Sequence, residues 1–182
     1  MPSLFTHVVA GAALGQAAKP AWRDWRFWSL AVLSSVLPDL DVLGFRFGIH
    51  YGDLWGHRGL MHSLVFAAAA GVIFSLLVRS GWRERWKPAL IFFLIMASHD
   101  LLDALTSGGL GIAFFSPFDT RRYFFPWTPI RVSPLGVSRF FSARGAAVLW
   151  SEIRWVWIPA LAVGLVLRFR RLPGKANRER QG

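Results

Sequence analysis

The sequence has no cysteine and few charged side chains, and both shortages restrict what the protein can be. Without cysteine there is no disulfide framework and no thiolate ligand for a metal ion. Charged residues make up only 17% of the 182 residues, against about 25% in a typical soluble domain. Hydrophobic residues make up 54%. This composition indicates an integral membrane protein.

Acidic residues are scarce as well: ten Asp and Glu stand against 21 Lys and Arg, for a net charge of +11. In a soluble protein this charge would favour a nucleic-acid partner. Here the basic residues lie between apolar segments, which predicts contacts with anionic lipid headgroups and no nucleic acid. Their distribution places residues 19–26, 79–87 and the C-terminal tail in the cytoplasm.

Apolar segments predict an all-α, multi-pass transmembrane bundle of about five helices, since a span needs about 20 residues. Glu152 and Arg154 interrupt the last segment, so its span is firmly predicted only after Arg154. The first segment is short but rich in glycine and alanine, as in closely packed membrane helices. It lacks the basic start of a signal peptide. The segments are 4–18, 27–43, 60–78, 89–105 and 145–167.

Residues 1–172 are therefore expected to form one membrane-embedded domain, followed by a basic, disordered tail at 173–182. Within the domain, residues 106–145 predict a long, irregular, extracytoplasmic loop that covers the bundle as a lid. The aromatic residues of this loop argue against disorder, and long loops without regular structure are usually functional. Arg121, Arg122 and Arg131 in this loop would meet an anionic substrate or phospholipid.

Histidine and aspartate side chains lie at the ends of four predicted helices. If successive helices alternate in direction, all four ends lie at the same face of the membrane, whichever way the bundle is inserted. Ionisable residues in membrane segments are rare and usually functional. We therefore predict a metal site whose ligands come from His7, Asp39, Asp41, His57, His62, His99 and Asp103. A hydrogen-bonded structural network without metal is the alternative.

Spacing supports the metal site. His99 and Asp103 are four residues apart, so they share one helix face and can bind one ion. His57 and His62 are five apart, and Gly59 between them predicts that His57 lies in a turn and bends back toward His62.

Pro38 is expected to distort the second helix, which would let Asp39 and Asp41 face a common pocket. The sequence leaves open which of these two aspartates is the ligand, and whether Asp100 takes part. His50 is predicted to be a loop residue outside the site.

Imidazole and carboxylate ligands without thiolate favour zinc, with manganese or iron as alternatives. Seven ligands are more than one tetrahedral zinc needs. The site therefore holds one to three ions, or some of the side chains orient the ligands. Asp41 is the predicted general base toward water activated by the metal. Arg58 is predicted to hold a phosphoryl oxygen, with a lipid-headgroup contact as the alternative.

The segments THVVAGAALG, LPDLD, GHRGLMHS and SHDLLDALTSGG, in this order, resemble the YdjM-like family of bacterial inner-membrane proteins, inferred to be metal-dependent hydrolases. The resemblance extends from about His7 to Gly136. It implies a multi-pass inner-membrane protein whose metal site contains His7, Asp39, His57, His62, His99 and Asp103. A more remote likeness to the zinc-dependent phospholipase C and nuclease group implies phosphoester hydrolysis at a multinuclear zinc site.

The sequence as a whole predicts a membrane-bound, metal-dependent hydrolase with its site at the outer, periplasmic end of the bundle. A site at headgroup depth meets lipids without extracting them, so the expected substrate is a phospholipid or a lipid-linked phosphoester. A metal-ion transporter or sensor is the first alternative, although residues 65–78 and 89–97 offer almost no polar pathway across the membrane. A non-catalytic membrane scaffold is the second.

Overall fold

The computed structural model describes residues 1–16, 24–78, 80–133 and 141–169, and these ranges contain six α-helices and no strand. The predicted all-α class is confirmed. The predicted disordered tail at 173–182 lies outside the described residues, as do 17–23, 79 and 134–140. The helices are α1 (Leu4–Gly15), α2 (Trp25–Val36), α3 (Leu64–Leu77), α4 (Trp86–Ala104), α5 (Ala143–Glu152) and α6 (Ile158–Phe169).

Helix α4 is the centre of the packing. It lies against α3 along much of its length and also contacts α1 and α2, while α1 in turn packs on α6. Small residues permit two of these approaches. A Cβ atom at Gly11 would collide with Oγ of Ser35 on α2, and one at Gly71 would lie 2.8 Å from the carbonyl oxygen of Ala89. This is the close packing that small residues provide between membrane helices.

The second helix bends at Pro38, as predicted. Helix α2 ends at Val36, and a ten-residue 3-10 helix, Pro38–Phe47, continues at an angle of 54° to it. Proline lacks the N–H that the α-helical pattern requires, so it favours a new element at this point. The first turn of the 3-10 helix holds Asp39 and Asp41, and both are buried.

Helix α3 begins later than the apolar pattern predicts. Residues 60–62 form a short 3-10 turn, and the side chain of Ser63 then caps α3 by accepting a hydrogen bond from the N–H of Phe66 at 3.1 Å. An N-cap serine satisfies a helix donor that would otherwise be free. His57 lies in the turn that precedes this segment, so both His57 and His62 lie outside α3.

The described helices include fewer full-length spans than the five predicted. The continuous helix Ala143–Leu167 is long and apolar enough to cross a membrane, and the bent pair of α2 and the 3-10 helix makes two if it acts as one span. Helices α1 and α3 are apolar but have only 12 and 14 residues, against the roughly 20 residues of a typical span. The turn at residues 60–62 and the cap at Ser63 delay the start of α3, whereas His7 lies within α1.

The continuous helix that contains α5 and α6 is longer than expected, because the carboxylate of Glu152 can be buried within it. A π-helical segment, Ile153–Trp157, joins α5 to α6, and Glu152 directly before it is 0% exposed. The carboxylate accepts hydrogen bonds from the N–H and hydroxyl of Ser3 and from the hydroxyl of Thr6. A paired carboxylate of this kind can lie inside an apolar helix.

Residues 105–133 connect α4 to the region before α5 without a helix of their own. Two isolated bridges, Thr106 with Ile130 and Ile112 with Tyr123, hold this segment together. It also contacts the start of α3, where the N–H of Leu64 donates to the carbonyl of residue 114 at 3.0 Å. The segment therefore lies over the end of the bundle where α2 ends and α3 begins. The side of the membrane on which it lies stays a prediction.

Candidate metal centre

Side chains from α1, the 3-10 helix, the turn before α3 and the end of α4 meet at one end of the bundle, as their predicted directions require. Donor atoms of Asp39, His62, His99 and Asp103 all lie within 4.8 Å of one another. None of these four residues is more than 6% exposed. Together they form the group of four, which could hold a metal ion.

The distances inside the group of four fit one ion better than a set of hydrogen bonds. Nε2 of His62 lies 3.3 Å from Nε2 of His99. Oδ1 of Asp39 lies 3.7 Å and 3.5 Å from these two nitrogens. Oδ2 of Asp103 lies 3.9 Å from Nε2 of His62. Ligands about 2.1 Å from a tetrahedral ion are separated by about 3.4 Å.

In the described ranges, three carboxylates of this region lack the hydrogen bonds that buried oxygens normally have. Both oxygens of Asp39 and both of Asp103 are without a hydrogen bond within the described residues, and so are those of Asp100, which is 0% exposed. Buried polar atoms are almost always hydrogen-bonded, and a buried charge needs a counter-charge. Arg58 supplies one to Asp103, and a bound cation would supply one to Asp39.

Asp41 differs from Asp39 because its oxygens are already engaged. Oδ1 accepts a hydrogen bond from Nδ1 of His57 at 2.7 Å, and Oδ2 accepts one from the backbone N–H of Arg58 at 3.0 Å. Nδ1 of His62 lies 2.9 Å from the same Oδ2. The donors of Asp41, His57 and His62 are close enough to hold an ion of their own. Their separations are nevertheless those of hydrogen bonds, which suits a carboxylate that orients two imidazoles.

His7 lies next to the group of four. Its ring stacks on that of His99 with 3.6 Å between the ring centroids, and its Nε2 lies 3.4 Å from Oδ1 of Asp103. His7 is 2% exposed, and neither ring nitrogen has a hydrogen bond within the described residues. Its position and free nitrogens make it a further possible ligand.

Arg58 is buried at this site and connects the turn before α3 to the end of α4 and the residues that follow it. It is 1% exposed and has a φ of 65°, which is uncommon and strained for a residue other than glycine. Its Nε lies 3.0 Å from Oδ2 of Asp103. Nη1 donates to the carbonyl of Gly108 at 2.7 Å, and Nη2 donates to the hydroxyl of Thr106 at 3.1 Å. The guanidinium predicted to hold a phosphoryl oxygen is thus engaged by the protein.

Two of the loop arginines also have protein partners. The exposed Arg121 pairs with Asp119, and its hydrogen bonds lower the pKa of that carboxyl to about 2. Arg122 donates to the carbonyl of His57 at 2.8 Å and to that of Tyr51 at 3.0 Å. Arg122 therefore holds in place the turn that carries His57.

A cavity of about 590 Å³ opens beside the centre, with Tyr51, His57, Arg58, Gly109 and Arg144 among its lining residues. Gly109 has a φ of +94°, and a Cβ atom there would lie 2.6 Å from Nη1 of Arg58 and 2.7 Å from the hydroxyl of Tyr51. Because the loop passes so close to both side chains, only glycine fits at this position. Burial raises the pKa of the Tyr51 hydroxyl, which lines the cavity in its neutral form.

Comparison with known proteins gives the family of the chain. The family described as YdjM inner membrane protein matches residues 1–175. The chain belongs to this family. Inner membrane protein YbcI of Escherichia coli (strain K12) is 36% identical over 172 residues, which cover 94% of this chain and 99% of that protein. No solved structure matches the chain. The predicted family and inner-membrane localisation are confirmed.

Sequence reasoning missed two residues that support the centre of this YdjM-family protein. The carbonyl oxygen of Ser35 lies 2.8 Å from Nδ1 of His99, so the opposite nitrogen of that ring is directed at the group of four. The hydroxyl of Thr106 donates to the carbonyl of Asp103 at 2.7 Å. A backbone carbonyl leaves no signal in a sequence. Thr106 lies within the segment SHDLLDALTSGG, but a threonine after a helix has no pattern that predicts this contact.

Proposed function

We propose that this YdjM-family protein is a membrane-bound, metal-dependent hydrolase that cleaves a phosphoester of a phospholipid or lipid-linked substrate. The observation that carries the proposal is the group of four. Its donor atoms have the spacing of metal ligands, and its carboxylates have no hydrogen bonds in the described part of the chain. A buried group of candidate metal ligands next to a cavity is the arrangement that metal-assisted hydrolysis requires.

Zinc is the proposed metal, because imidazole and carboxylate donors without thiolate suit it best. When bound, zinc would supply Lewis-acid chemistry that polarises a phosphoryl oxygen and makes water nucleophilic near neutral pH. Catalytic zinc sites have three protein ligands and one open position. Asp39, His62 and His99 have the shortest mutual distances, so we assign them as the three ligands.

Asp103 then takes the role of general base, which the sequence predicts for Asp41. Arg58 lies 3.0 Å from Oδ2 of Asp103, and Oδ1, which lies 3.4 Å from Nε2 of His7, would accept a proton from the attacking water. Asp41 instead positions His57 and His62 through their Nδ1 atoms. A carboxylate at Nδ1 fixes the tautomer in which Nε2 carries the lone pair that binds a metal.

A multi-pass arrangement with the centre at the periplasmic headgroup level completes the proposal. Exposed aromatic side chains mark both ends of the bundle, as interfacial anchors do in membrane proteins. Helix α4 has 19 residues, which corresponds to about 28 Å and is close to the thickness of the hydrocarbon layer. The anchors are Trp25, Trp82 and Trp86 at the end away from the centre, and Phe47, Trp55 and Phe118 near it.

The proposal is tested by elemental analysis and lipid hydrolysis on the full chain, purified in detergent. We expect at least one zinc per chain and release of a phosphorylated headgroup from bacterial phospholipid vesicles. His99→Ala should remove both the metal and the turnover. His50→Ala is the matched control, because His50 is 89% exposed and lies outside the centre.

The alternatives give different results in the same experiments. Full metal content in His99→Ala, or hydrolysis that resists a chelator, would contradict the proposal. Bound metal with zinc flux into proteoliposomes and no hydrolysis would support a transporter. A wild-type protein without metal would support a scaffold.

A further inference from the structure

The described charged side chains that line the cavity beside the metal centre are both arginines. Arg58 and Arg144 line it, and its described lining residues include no aspartate or glutamate. The charge of Arg58 is already balanced by Asp103 at 3.0 Å. Arg144 is exposed, and no carboxylate pairs with it in the described part of the chain. Arg144 is thus a side-chain cation in the cavity that neither the fold nor the proposed chemistry uses.

We propose that this cavity binds a phosphate group and that Arg144 supplies the charge that recognises it. The planar guanidinium has the geometry to donate two parallel hydrogen bonds to phosphate oxygens. A cleft lined by one sign of charge concentrates ligands of the opposite sign. This inference rests on the proposed function, because it identifies the bound phosphate as that of the substrate.

The size and position of the cavity fit such a ligand. Its volume of about 590 Å³ lies in the range of about 300–1,000 Å³ found for small-molecule sites. It holds a phosphate group with an attached alcohol such as glycerol. His57 and Arg58 form the wall toward the metal centre, so a phosphate in the cavity lies next to the group of four.

The beginning of α5 adds to the same wall. Arg144 is the second residue of α5, and the preceding Ser142 also lines the cavity. The positive end of the helix dipole therefore lies on the side where Arg144 contributes its charge. Phe141, which is 82% exposed, comes three residues before Arg144 and places an apolar ring at this edge of the protein. An apolar ring beside a cation is typical of a surface that meets lipid headgroups.

The test measures phosphate binding to the full chain, as purified, in phosphatidylcholine nanodiscs. Inorganic phosphate and glycerol 3-phosphate are titrated calorimetrically. Arg144→Gln should weaken binding about tenfold, since it removes a charge-assisted hydrogen bond. Arg144→Lys should weaken it less. Arg154→Gln is the matched control, because Arg154 lies on the same continuous helix and over the ring of Trp155 at 5.0 Å.

A second arm separates a lipid headgroup from a soluble phosphate ester. Lipids retained by the purified protein from equal mixtures of phosphatidylglycerol and phosphatidylcholine are measured by mass spectrometry. Enrichment of phosphatidylglycerol that Arg144→Gln abolishes assigns the site to a lipid headgroup. Arg144-dependent binding of the soluble phosphates without that enrichment assigns it to a soluble ester. Equal results for Arg144→Gln and Arg154→Gln in both arms would overturn the proposal.

Failure of this inference is distinguishable from failure of the proposed function. If the wild type contains no metal while Arg144→Gln still weakens phosphate binding, the hydrolase proposal fails and the phosphate site stands. If metal and hydrolysis are both present while Arg144→Gln leaves phosphate binding and KM unchanged, the phosphate site fails and the hydrolase proposal stands.

Discussion

Oδ1 of Asp41 and Nδ1 of His57 are 2.7 Å apart, and the other oxygen of Asp41 lies 2.9 Å from Nδ1 of His62. One carboxylate thus orients two histidines that are five residues apart in the sequence. Asp39, two residues earlier, has no hydrogen bond in the described part of the chain and lies among the donor atoms of the group of four. The two aspartates of LPDLD have different environments, and we expect their substitutions to have different effects.

Asp41→Asn should weaken zinc binding about 10- to 100-fold, the usual effect of losing a residue that orients a metal ligand. Asp39→Asn should abolish binding, because it removes a ligand. Zinc affinity is measured by competition with a chromophoric chelator. Asp53→Asn serves as the control, since Asp53 is half exposed in a loop. Equal losses in Asp39→Asn and Asp41→Asn would contradict this division of roles.

Arg58→Lys should destabilise the fold, although it conserves the charge. Lysine cannot reach the carbonyl of Gly108, the hydroxyl of Thr106 and the carboxylate of Asp103 at once. Breaking a buried pair costs about 3–5 kcal/mol when one partner is lost, so we expect part of that loss. The thermal unfolding midpoint in detergent is compared with that of Arg46→Lys at an exposed position. An unchanged midpoint would show that Arg58 is not a structural link.

Glu152→Ala should destabilise the contact between α1 and the last helix. Ser3 and Thr6 would lose the acceptor of three hydrogen bonds, and each buried unsatisfied group costs about 1–3 kcal/mol. Thr6 directly precedes His7, so zinc affinity should fall together with stability. Glu84→Ala, at an exposed position, is the control. Wild-type stability in Glu152→Ala would argue against the network.

Gly109→Ala should disturb the cavity without touching the metal ligands. The added methyl group would lie within 2.7 Å of Arg58 and Tyr51, and a φ of +94° is strained for alanine. We expect lower thermal stability and weaker phosphate binding, with zinc content unchanged. Gly81→Ala, where a Cβ atom meets nothing within 4 Å, provides the comparison. Equal stability of the two variants would contradict the tight approach of the loop.

The sequence was sufficient to predict that the site residues lie close together. Alternating helix directions bring the helix ends to one face, and the bend at Pro38 follows from the local chemistry of proline. The bend at Pro38 and the loop position of His50 outside the site were both predicted correctly. The roles within the site were not predictable. Asp39 and Asp41 have the same chemistry in the sequence, and only their tertiary neighbours separate them.

Helix lengths were predicted less well, because the hydrogen bonds of individual polar side chains decide where a helix begins and ends. The apolar pattern from residue 60 onward suggested one long helix, but His62 and Ser63 use their side chains to form a turn and a cap. Glu152 had the opposite effect. Its charge argued against a helix across that position, whereas the hydrogen bonds from Ser3 and Thr6 allow it to be buried there.

The most direct test of the central claim is the zinc content per chain of the purified wild type and of His99→Ala, measured by elemental analysis. The account predicts at least one zinc in the wild type and in the His50→Ala control, and none in His99→Ala. Equal zinc content in the wild type and His99→Ala, or none in the wild type, would contradict it.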